Sequence, residues 1–249
     1  MGNSRSIIYF TDNRTIDPPI IPVVKKYILE AGLPIVSVSL APIDFGKNIV
    51  LQGRRRGPFT LILQIILGLE NSDADNVFFC EHDVLYHKSH FDFTPPQPDI
   101  FYYNENLWKW RYHTDVVVRH NGSISLSGLY CNRKLALEHF KLRKQYIEKQ
   151  DLWDKEMTKE APWCRFLGYE PGFKPIKSRG YPPEKFEVWN SEFPNVDIRH
   201  RFCFSNRKTK LRDFAHRPST WIESTIDKVP GWDLRKLFNI KKESICNMI

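Results

Sequence analysis

The sequence has no long hydrophobic run of the kind that marks a membrane protein. Among its 249 residues the longest apolar stretch, residues 61–69, is interrupted by Gln64 and Gly68. A helix needs about 20 apolar residues to cross a bilayer, so no membrane-spanning helix is predicted. The chain does not open on an apolar segment either, and we therefore expect no secretory signal.

Paired cysteines and glycine-rich nucleotide motifs are also missing. The five cysteines are scattered without paired spacing, which is typical of reduced thiols in a cytoplasmic protein. Cys80 lies in an apolar stretch and is predicted to be a core residue. Neither a G-x-G-x-x-G nor a Walker sequence is present, which argues against dinucleotide-dependent enzymes and P-loop ATPases.

What the chain does have is a globular composition with an excess of positive charge. Hydrophobic residues make up 41% of it and aromatic residues 14%, which predicts a packed core. The net charge of +8 favours an anionic partner. That partner could be a nucleotide phosphate, a nucleic acid or an acidic membrane face, and the charge alone does not choose among them.

Buried strands alternate with helices in the first third of the chain. Strands are predicted at residues 6–11, 35–40 and 76–80, with one helix ending near Ala31 and a second at 59–70. This β-α-β-α-β order predicts a doubly wound, mostly parallel α/β sheet.

The pattern changes after the third strand. Strands at 100–103 and 115–118 are predicted to form a small antiparallel extension, and a helix is predicted at 135–149. The C-terminal part contains irregular, aromatic-rich and basic sequence. Because no clear linker divides the chain, we expect a single domain over residues 1–249.

The most informative segment is the end of the third strand. Glu81 and Asp83 follow its apolar residues at a spacing of i, i+2, so on an extended backbone they point the same way. Two carboxylates at a strand tip could hold a divalent cation, and ligands of open α/β sheets collect at such tips. An acidic pair alone is more often a turn or a cap. Here two β-α units precede it, which favours a metal site, with His82 facing away from its neighbours.

The loop after the first strand is a candidate nucleotide contact. It contains Thr11, Asp12 and Asn13. In a doubly wound sheet this loop faces the ligand crevice, where Asp12 could accept hydrogen bonds from a base or a ribose. A simple Asx turn explains the same residues equally well.

Three arginines precede the second helix. Arg54, Arg55 and Arg56 lie between Gly53 and Gly57. One guanidinium group can donate two parallel hydrogen bonds to phosphate oxygens, and helix N-termini attract anions. This segment therefore suits a diphosphate. A solvated charged loop is the alternative.

Histidines near the C-terminus could complete a metal site. A neutral imidazole at His200 could be a ligand, with Arg199 neutralising phosphate. His216 and Arg217 could do the same, and we prefer His200.

A sugar acceptor site is suggested by acids among aromatic residues. Glu156, Glu160 and Glu170 lie near tryptophans, and sugar sites combine aromatic faces with an acid that acts as general base. Of the three we choose Glu160 as the catalytic base, because partial burial beside Trp163 would make it a better base. A packed aromatic core with solvated acids is the alternative.

Together these segments resemble nucleotide-sugar glycosyltransferases of the GT-A fold, near the family-2-like group. Glu81, His82 and Asp83 stand where that fold has its Asp-x-Asp motif, with Glu in place of the first Asp. Asp12 matches the base-contacting acid after the first strand, the Arg54–Arg56 segment stands where related enzymes contact the donor, and His200 matches the histidine that often completes the metal shell.

The resemblance implies a hexosyltransferase that moves a sugar from a nucleotide-diphosphate sugar, with a UDP-sugar as the expected donor. It implies Mn²⁺ or Mg²⁺ held by Glu81, Asp83 and His200, with Asp83 also serving catalysis. The donor would bind about residues 6–130 and the acceptor about residues 131–249. The acceptor hydroxyl would belong to a saccharide or a glycolipid.

Three other hypotheses fit the same sequence. The basic, aromatic stretch at 174–217 could follow a nucleic-acid backbone, so the sugar acceptor could be a modified base in DNA. A non-catalytic nucleic-acid-binding protein is the hypothesis from another class. A metal-dependent nuclease or phosphohydrolase could use the same acids.

Overall fold

A computed structural model of the protein describes residues 4–14, 19–120, 122–149, 170–172, 184–203 and 221–241. Its strands are β1 (Arg5–Thr11), β2 (Ile35–Ser39), β3 (Lys47–Val50), β4 (Asn76–Glu81), β5 (Val84–Leu85), β6 (Ile100–Asn104), β7 (Leu107–Arg111), β8 (Val116–Arg119), β9 (Leu129–Asn132), β10 (Lys185–Trp189), β11 (Asn195–Arg199) and β12 (Ile222–Thr225). Its α-helices are α1 (Ile20–Leu29), α2 (Pro58–Glu70), α3 (Arg133–Lys149) and α4 (Leu234–Phe238).

The central sheet has seven strands in the order β10-β6-β9-β4-β1-β2-β3. β9 runs antiparallel to β4 and to β6, and the other described pairs of neighbouring strands are parallel. The predicted mostly parallel α/β sheet is therefore confirmed. Because β1 and β4 are parallel neighbours, their carboxyl ends lie side by side at one edge of the sheet.

Both faces of this sheet are covered, which explains the nearly continuous apolar sequence of its strands. Along β1, Ile7 and Tyr9 face the core on the α1 side, whereas Ile8 and Phe10 face the core formed with α2 and α3. The helix α2 approaches β1 closely, since a Cβ added to Gly68 would lie 2.6 Å from Cγ2 of Ile8.

A second sheet packs on the α1 side of the first. Its order is β12-β8-β7-β11-β5, and in it β11 is parallel to β7 but antiparallel to β5. The short strand β5 follows directly after the end of β4 and pairs with β11. This pairing brings the carboxyl end of β11 to the end of β4. Antiparallel strands are present, as the sequence predicts, but the two predicted ones belong to different sheets: residues 100–103 lie in β6 of the central sheet, and residues 115–118 overlap β8 of the second. The described residues after 149 contribute β10, β11, β12 and α4.

The expectation that Cys80 lies in the core is confirmed. Cys80 is fully buried, and Cys80, Cys131 and Cys203 are free thiols. Among the helices that the structure describes, none is both long enough and apolar enough to cross a bilayer.

Candidate active site

One cleft lies where the carboxyl ends of β1, β4 and β11 meet the start of α2. Its volume is about 360 Å³. Acidic and basic side chains both line it. The acids are Asp12, Glu81, Asp83, Glu170 and Asp197, and the cations are Arg14, Arg56, Lys109 and Arg199.

The end of β4 is a tight turn held by one hydrogen bond to a side chain and one between main chains. The strand ends at Glu81, whose N–H donates to Oη of Tyr86 at 2.9 Å. Residues 82 and 83 form the turn, and the N–H of Ile198 on β11 donates to the carbonyl of Asp83 at 2.8 Å. Asp83 is therefore placed by a turn between the two sheets and not by an extended strand.

This turn brings His82, Asp83 and His200 together. One ligand atom from each of these three residues lies within 4.8 Å of the others, and Oδ2 of Asp83 is 3.2 Å from Nε2 of His200. The expectation that His82 faces away from its neighbours was wrong, because the extended backbone on which it was based ends at Glu81. Glu81, a predicted metal ligand, is not a member of this group in the described residues.

The pKa values of the two acids at the end of β4, Glu81 and Asp83, are shifted in opposite directions. Burial pushes the pKa of Asp83 upward, but the charges of His82 and His200 and a hydrogen bond from His200 outweigh it and lower that pKa well below its usual range. Burial, together with the charge of Asp83, raises the pKa of Glu81 to about 8. Asp83 therefore loses its proton much more readily than Glu81.

The donor atoms of His82, Asp83 and His200 fit a divalent cation. They comprise one carboxylate and two imidazoles in a partly buried pocket. Mg²⁺ prefers oxygen ligands throughout, whereas imidazole nitrogen suits softer transition metals.

Two cations adjoin this group on the second sheet. Arg199 pairs with Asp197 at 2.6 Å, and the two residues share one face of β11. Lys109 on β7 stands opposite Asp197 in the sheet register. Burial, with the charge of Arg199, lowers the pKa of Lys109 to about 8. Lys109 and Asp197 were not predicted as site residues.

The tip of β1 carries a second charged group. Oδ2 of Asp12 is 2.6 Å from Nε of Arg56 and 3.0 Å from Nε of Arg14. Both arginines also donate to the main-chain carbonyl of Phe202. Two predicted donor contacts from distant segments, Asp12 and Arg56, therefore meet here, and Thr11 lines the cleft beside them.

Other predicted donor contacts lie outside the cleft lining. Arg54 is exposed, with its guanidinium 5.6 Å from the ring centre of Phe59, and Arg55 is also exposed. The side chain of Asn13 bonds the main chain of Ala41 through both its oxygen and its nitrogen. Asn13 therefore ties the β1 loop to the end of β2, with its own φ at 57°.

The residue chosen as catalytic base, Glu160, lies outside the described residues, as do Glu156, His216 and Arg217. The third acid considered with Glu160, Glu170, lines the cleft.

No protein family matches the chain, and no curated protein matches it at a significant level. Several solved structures are similar to it. A glycosyltransferase involved in the glycosylation of the major capsid of PBCV-1 has 13% identity and a TM-score of 0.45, over 82% of this chain and 95% of its own. The inositol-1-phosphate CTP transferase from T. maritima has 13% identity and a TM-score of 0.44, over 80% and 91%.

The bifunctional IspDF from Campylobacter jejuni is also similar, with 12% identity and a TM-score of 0.44. That match covers 80% of this chain and 52% of IspDF, so this chain corresponds to about half of that protein.

Proposed function

We propose that the protein is a metal-assisted glycosyltransferase that moves a hexose from a nucleoside diphosphate sugar, a UDP-sugar, to an acceptor hydroxyl. One observation supports this most. The group of His82, Asp83 and His200 lies at the carboxyl ends of parallel strands, in a cleft that the cations Arg199 and Lys109 also line. A cation-binding group with flanking positive charge is suited to a diphosphate.

The sheet register supports the orientation of the donor. Phe10 of β1 pairs with Glu81 of β4, and Asp12 and Asp83 each follow two residues later. The two acids therefore stand at neighbouring positions along the edge. In our proposal Asp12 accepts a hydrogen bond from the base or ribose, while Asp83 lies at the diphosphate. Arg56 pairs with Asp12, so in our proposal its guanidinium meets the donor on the nucleoside side of the diphosphate.

The side chains of the cleft provide charge where the reaction needs it. A divalent cation held by His82, Asp83 and His200 would supply Lewis-acid neutralisation of the diphosphate oxygens when bound. Arg199 and Lys109 stabilise the negative charge that develops on the departing nucleoside diphosphate. Because these groups are partly buried, their interactions with that charge are stronger than in water.

A second candidate keeps the chemistry and changes the acceptor to a modified base in DNA. The net charge of +8 favours it. Binding of such an acceptor would fall steeply as salt rises, because bound phosphates release counterions. Activity on small saccharides that does not change with salt would exclude this candidate.

Thermal stability in the presence of nucleotide sugars tests the proposal. UDP-, GDP- and CMP-sugars are added to the full chain with and without Mn²⁺, and a ligand that binds only the folded state raises the melting temperature. We expect a UDP-sugar to give the largest rise and Mn²⁺ to increase it. If no nucleotide sugar changes the melting temperature, with or without the cation, the proposed function is wrong.

A further inference from the structure

β10 forms one end of the central sheet and is exposed along most of its length. In the described part of the chain it pairs with β6 and with no other strand. Its residues from Lys185 to Val188 are all exposed, whereas β3, at the other end of the sheet, exposes only Lys47. Proteins usually shield the edge strands of a sheet, because the main chain of such a strand can pair with another chain. β10 is therefore a candidate surface for an interaction.

Two large apolar side chains are exposed on the same face of β10. Phe186 is 37% exposed and Val188 is 44% exposed, and residues at a spacing of i, i+2 share one face of a strand. In the sheet register they stand beside Phe101 and Tyr103, which belong to the core formed with α2 and α3. The other large apolar residues that are exposed in the described chain lie singly on α1 and β12. The core on the α3 side thus continues to the surface at β10.

β10 is held in place by the short segment that carries Pro171 and Gly172. The carbonyl of Pro171 accepts a hydrogen bond from Oη of Tyr103 at 2.8 Å. The N–H of Gly172 donates to Oε2 of Glu184, directly before β10, at 2.9 Å. A Cβ added to Gly172, whose φ is +74°, would lie 2.9 Å from Cβ of Phe186, so glycine permits this close packing. A partner strand would meet an edge that is already ordered, which lowers the entropic cost of pairing.

The main chain of β10 determines which of its residues a partner strand can bond. The carbonyl of Trp189 accepts a hydrogen bond at 3.0 Å from the first residue after β6, so the main-chain groups of Trp189 point towards β6. These groups alternate in direction along a strand, so those of Lys185 and Glu187 also point towards β6. Those of Phe186 and Val188 point outwards. A strand added to this edge would therefore exchange hydrogen bonds with Phe186 and Val188.

The sequence of β10 is complementary to itself when two copies run antiparallel. If the twofold axis passes at Phe186, Lys185 of each copy stands opposite Glu187 of the other. Cross-strand pairs of opposite charge stabilise a sheet. The two copies of Phe186 then form a hydrogen-bonded pair, in agreement with the outward direction of their main-chain groups. If the axis passed at Glu187, two carboxylates would stand directly opposite each other, which is unfavourable.

We propose that the protein forms a dimer in which β10 pairs antiparallel with β10 of a second copy, with the twofold axis at Phe186. The two central sheets then continue as one, and the exposed side chains of Phe186 and Val188 come together. Because β10 runs parallel to β1 and β4, the carboxyl ends of the two sheets point in opposite directions. Each cleft stays open, and the dimer does not depend on the proposed function.

Sedimentation velocity of the full chain measures the dimer. Because one strand pair makes a small interface, we expect weak association and use protein concentrations from about 1 to about 100 µM. Glu187→Lys and Lys185→Glu should each weaken dimerisation by roughly tenfold or more, because each places like charges opposite each other at both pairs. The double variant restores opposite charges and should dimerise as the unaltered protein does. Glu30→Lys, at an exposed position at the end of α1, should leave dimerisation unchanged.

Amide hydrogen exchange tests the same edge without a substitution. Mass spectrometry with fragmentation resolves the exchange of single residues. The amides of Phe186 and Val188, which point outwards, should exchange more slowly in concentrated than in dilute protein. Those of Lys185 and Glu187, which point towards β6, should exchange at the same rate in both.

A dimer that both single reversals weaken and the double variant restores supports the inference, as does slower exchange at Phe186 and Val188 in concentrated protein. A protein that stays monomeric over the whole concentration range overturns it. A dimer that the single reversals leave unchanged, or that the double variant fails to restore, overturns it as well. Should a reversed variant fail to fold, the exchange of the unaltered protein decides, and rates independent of concentration are contradictory.

Discussion

His90 is expected to make the protein sensitive to mild acid. Its ring is fully buried and stacks on Trp189 at 5.5 Å. Its Nδ1 faces the side-chain nitrogens of Asn104 at 3.0 Å and Asn195 at 3.2 Å, so Nδ1 accepts from those amides. A proton added to Nδ1 would point at the N–H donors of these two amides. Burial lowers the pKa of His90 to about 3.

The size of the effect follows from the difference between the folded and unfolded pKa values. An unfolded histidine takes up its proton near pH 6.5, whereas folded His90 does so only near 3. The free energy of unfolding is therefore unaffected above about pH 6.5 and falls as the pH drops from there towards 3. Between about pH 7 and about pH 5 the loss is about 2 kcal/mol, from 1.36 kcal/mol per pH unit.

Two further buried histidines act in the same direction. Burial lowers the pKa of His120 to about 3 and that of His139 to about 4. Together the three would remove about 6 kcal/mol by about pH 5, a large part of the 5–15 kcal/mol that typically stabilises a domain.

Urea denaturation followed by tryptophan fluorescence at several pH values measures this loss. His90→Asn keeps a hydrogen-bond acceptor but cannot titrate, so its decline between about pH 7 and about pH 5 should be smaller than that of the unaltered protein by about 2 kcal/mol. His113→Asn, at an exposed position, should decline as much as the unaltered protein. If His90→Asn declines just as steeply, His90 is not a buried neutral group and the reasoning is refuted.

Two other substitution pairs test the cleft and its support. Arg56→Ala should weaken nucleotide-sugar binding by tenfold or more, on the order of 1.4 kcal/mol, whereas Arg54→Ala, outside the cleft, should not weaken it. Calorimetric titration measures the affinity of both variants. Equal losses of affinity would contradict the assignment of Arg56 to the donor site. Gly172→Ala should destabilise the protein more than Gly122→Ala. Both have a positive φ and a strain of about 1–3 kcal/mol, but only the first adds a close contact, with Phe186. Similar melting temperatures for the two variants would show that the 170–172 segment is not packed as described.

The first sheet was predictable where its signals are local, whereas β3, β9 and β10 were not predicted. β1, β2, β4 and α2 are continuous apolar segments between turn residues, and the predicted bounds differ from the observed ones by a residue or so. The second sheet was mostly missed. β7 and β11 are short, and they pair through residues far apart in the chain, such as Lys109 and Asp197, so no local pattern reveals the pairing.

The candidate site was predictable only where its residues follow a local sequence pattern. Asp83 was selected from the acidic pair that follows the third strand, and His200 was the preferred C-terminal histidine; the structure brings them together. The orientation of His82 was missed because the end of β4 depends on its pairing with other strands. One local signal for β11 was present, since Asp197 and Arg199 alternate with buried apolar neighbours, as on a strand with one polar face.

Manganese binding tests the central claim most directly. Free Mn²⁺ has an electron paramagnetic resonance signal that is lost on binding, so the full chain can be titrated with and without UDP-glucose. We predict one Mn²⁺ site whose affinity falls at least about tenfold in Asp83→Asn and in His82→Ala but not in Asp73→Asn, at an exposed acid. Equal affinity in all three variants, or no binding by the unaltered protein with UDP-glucose present, would contradict the account.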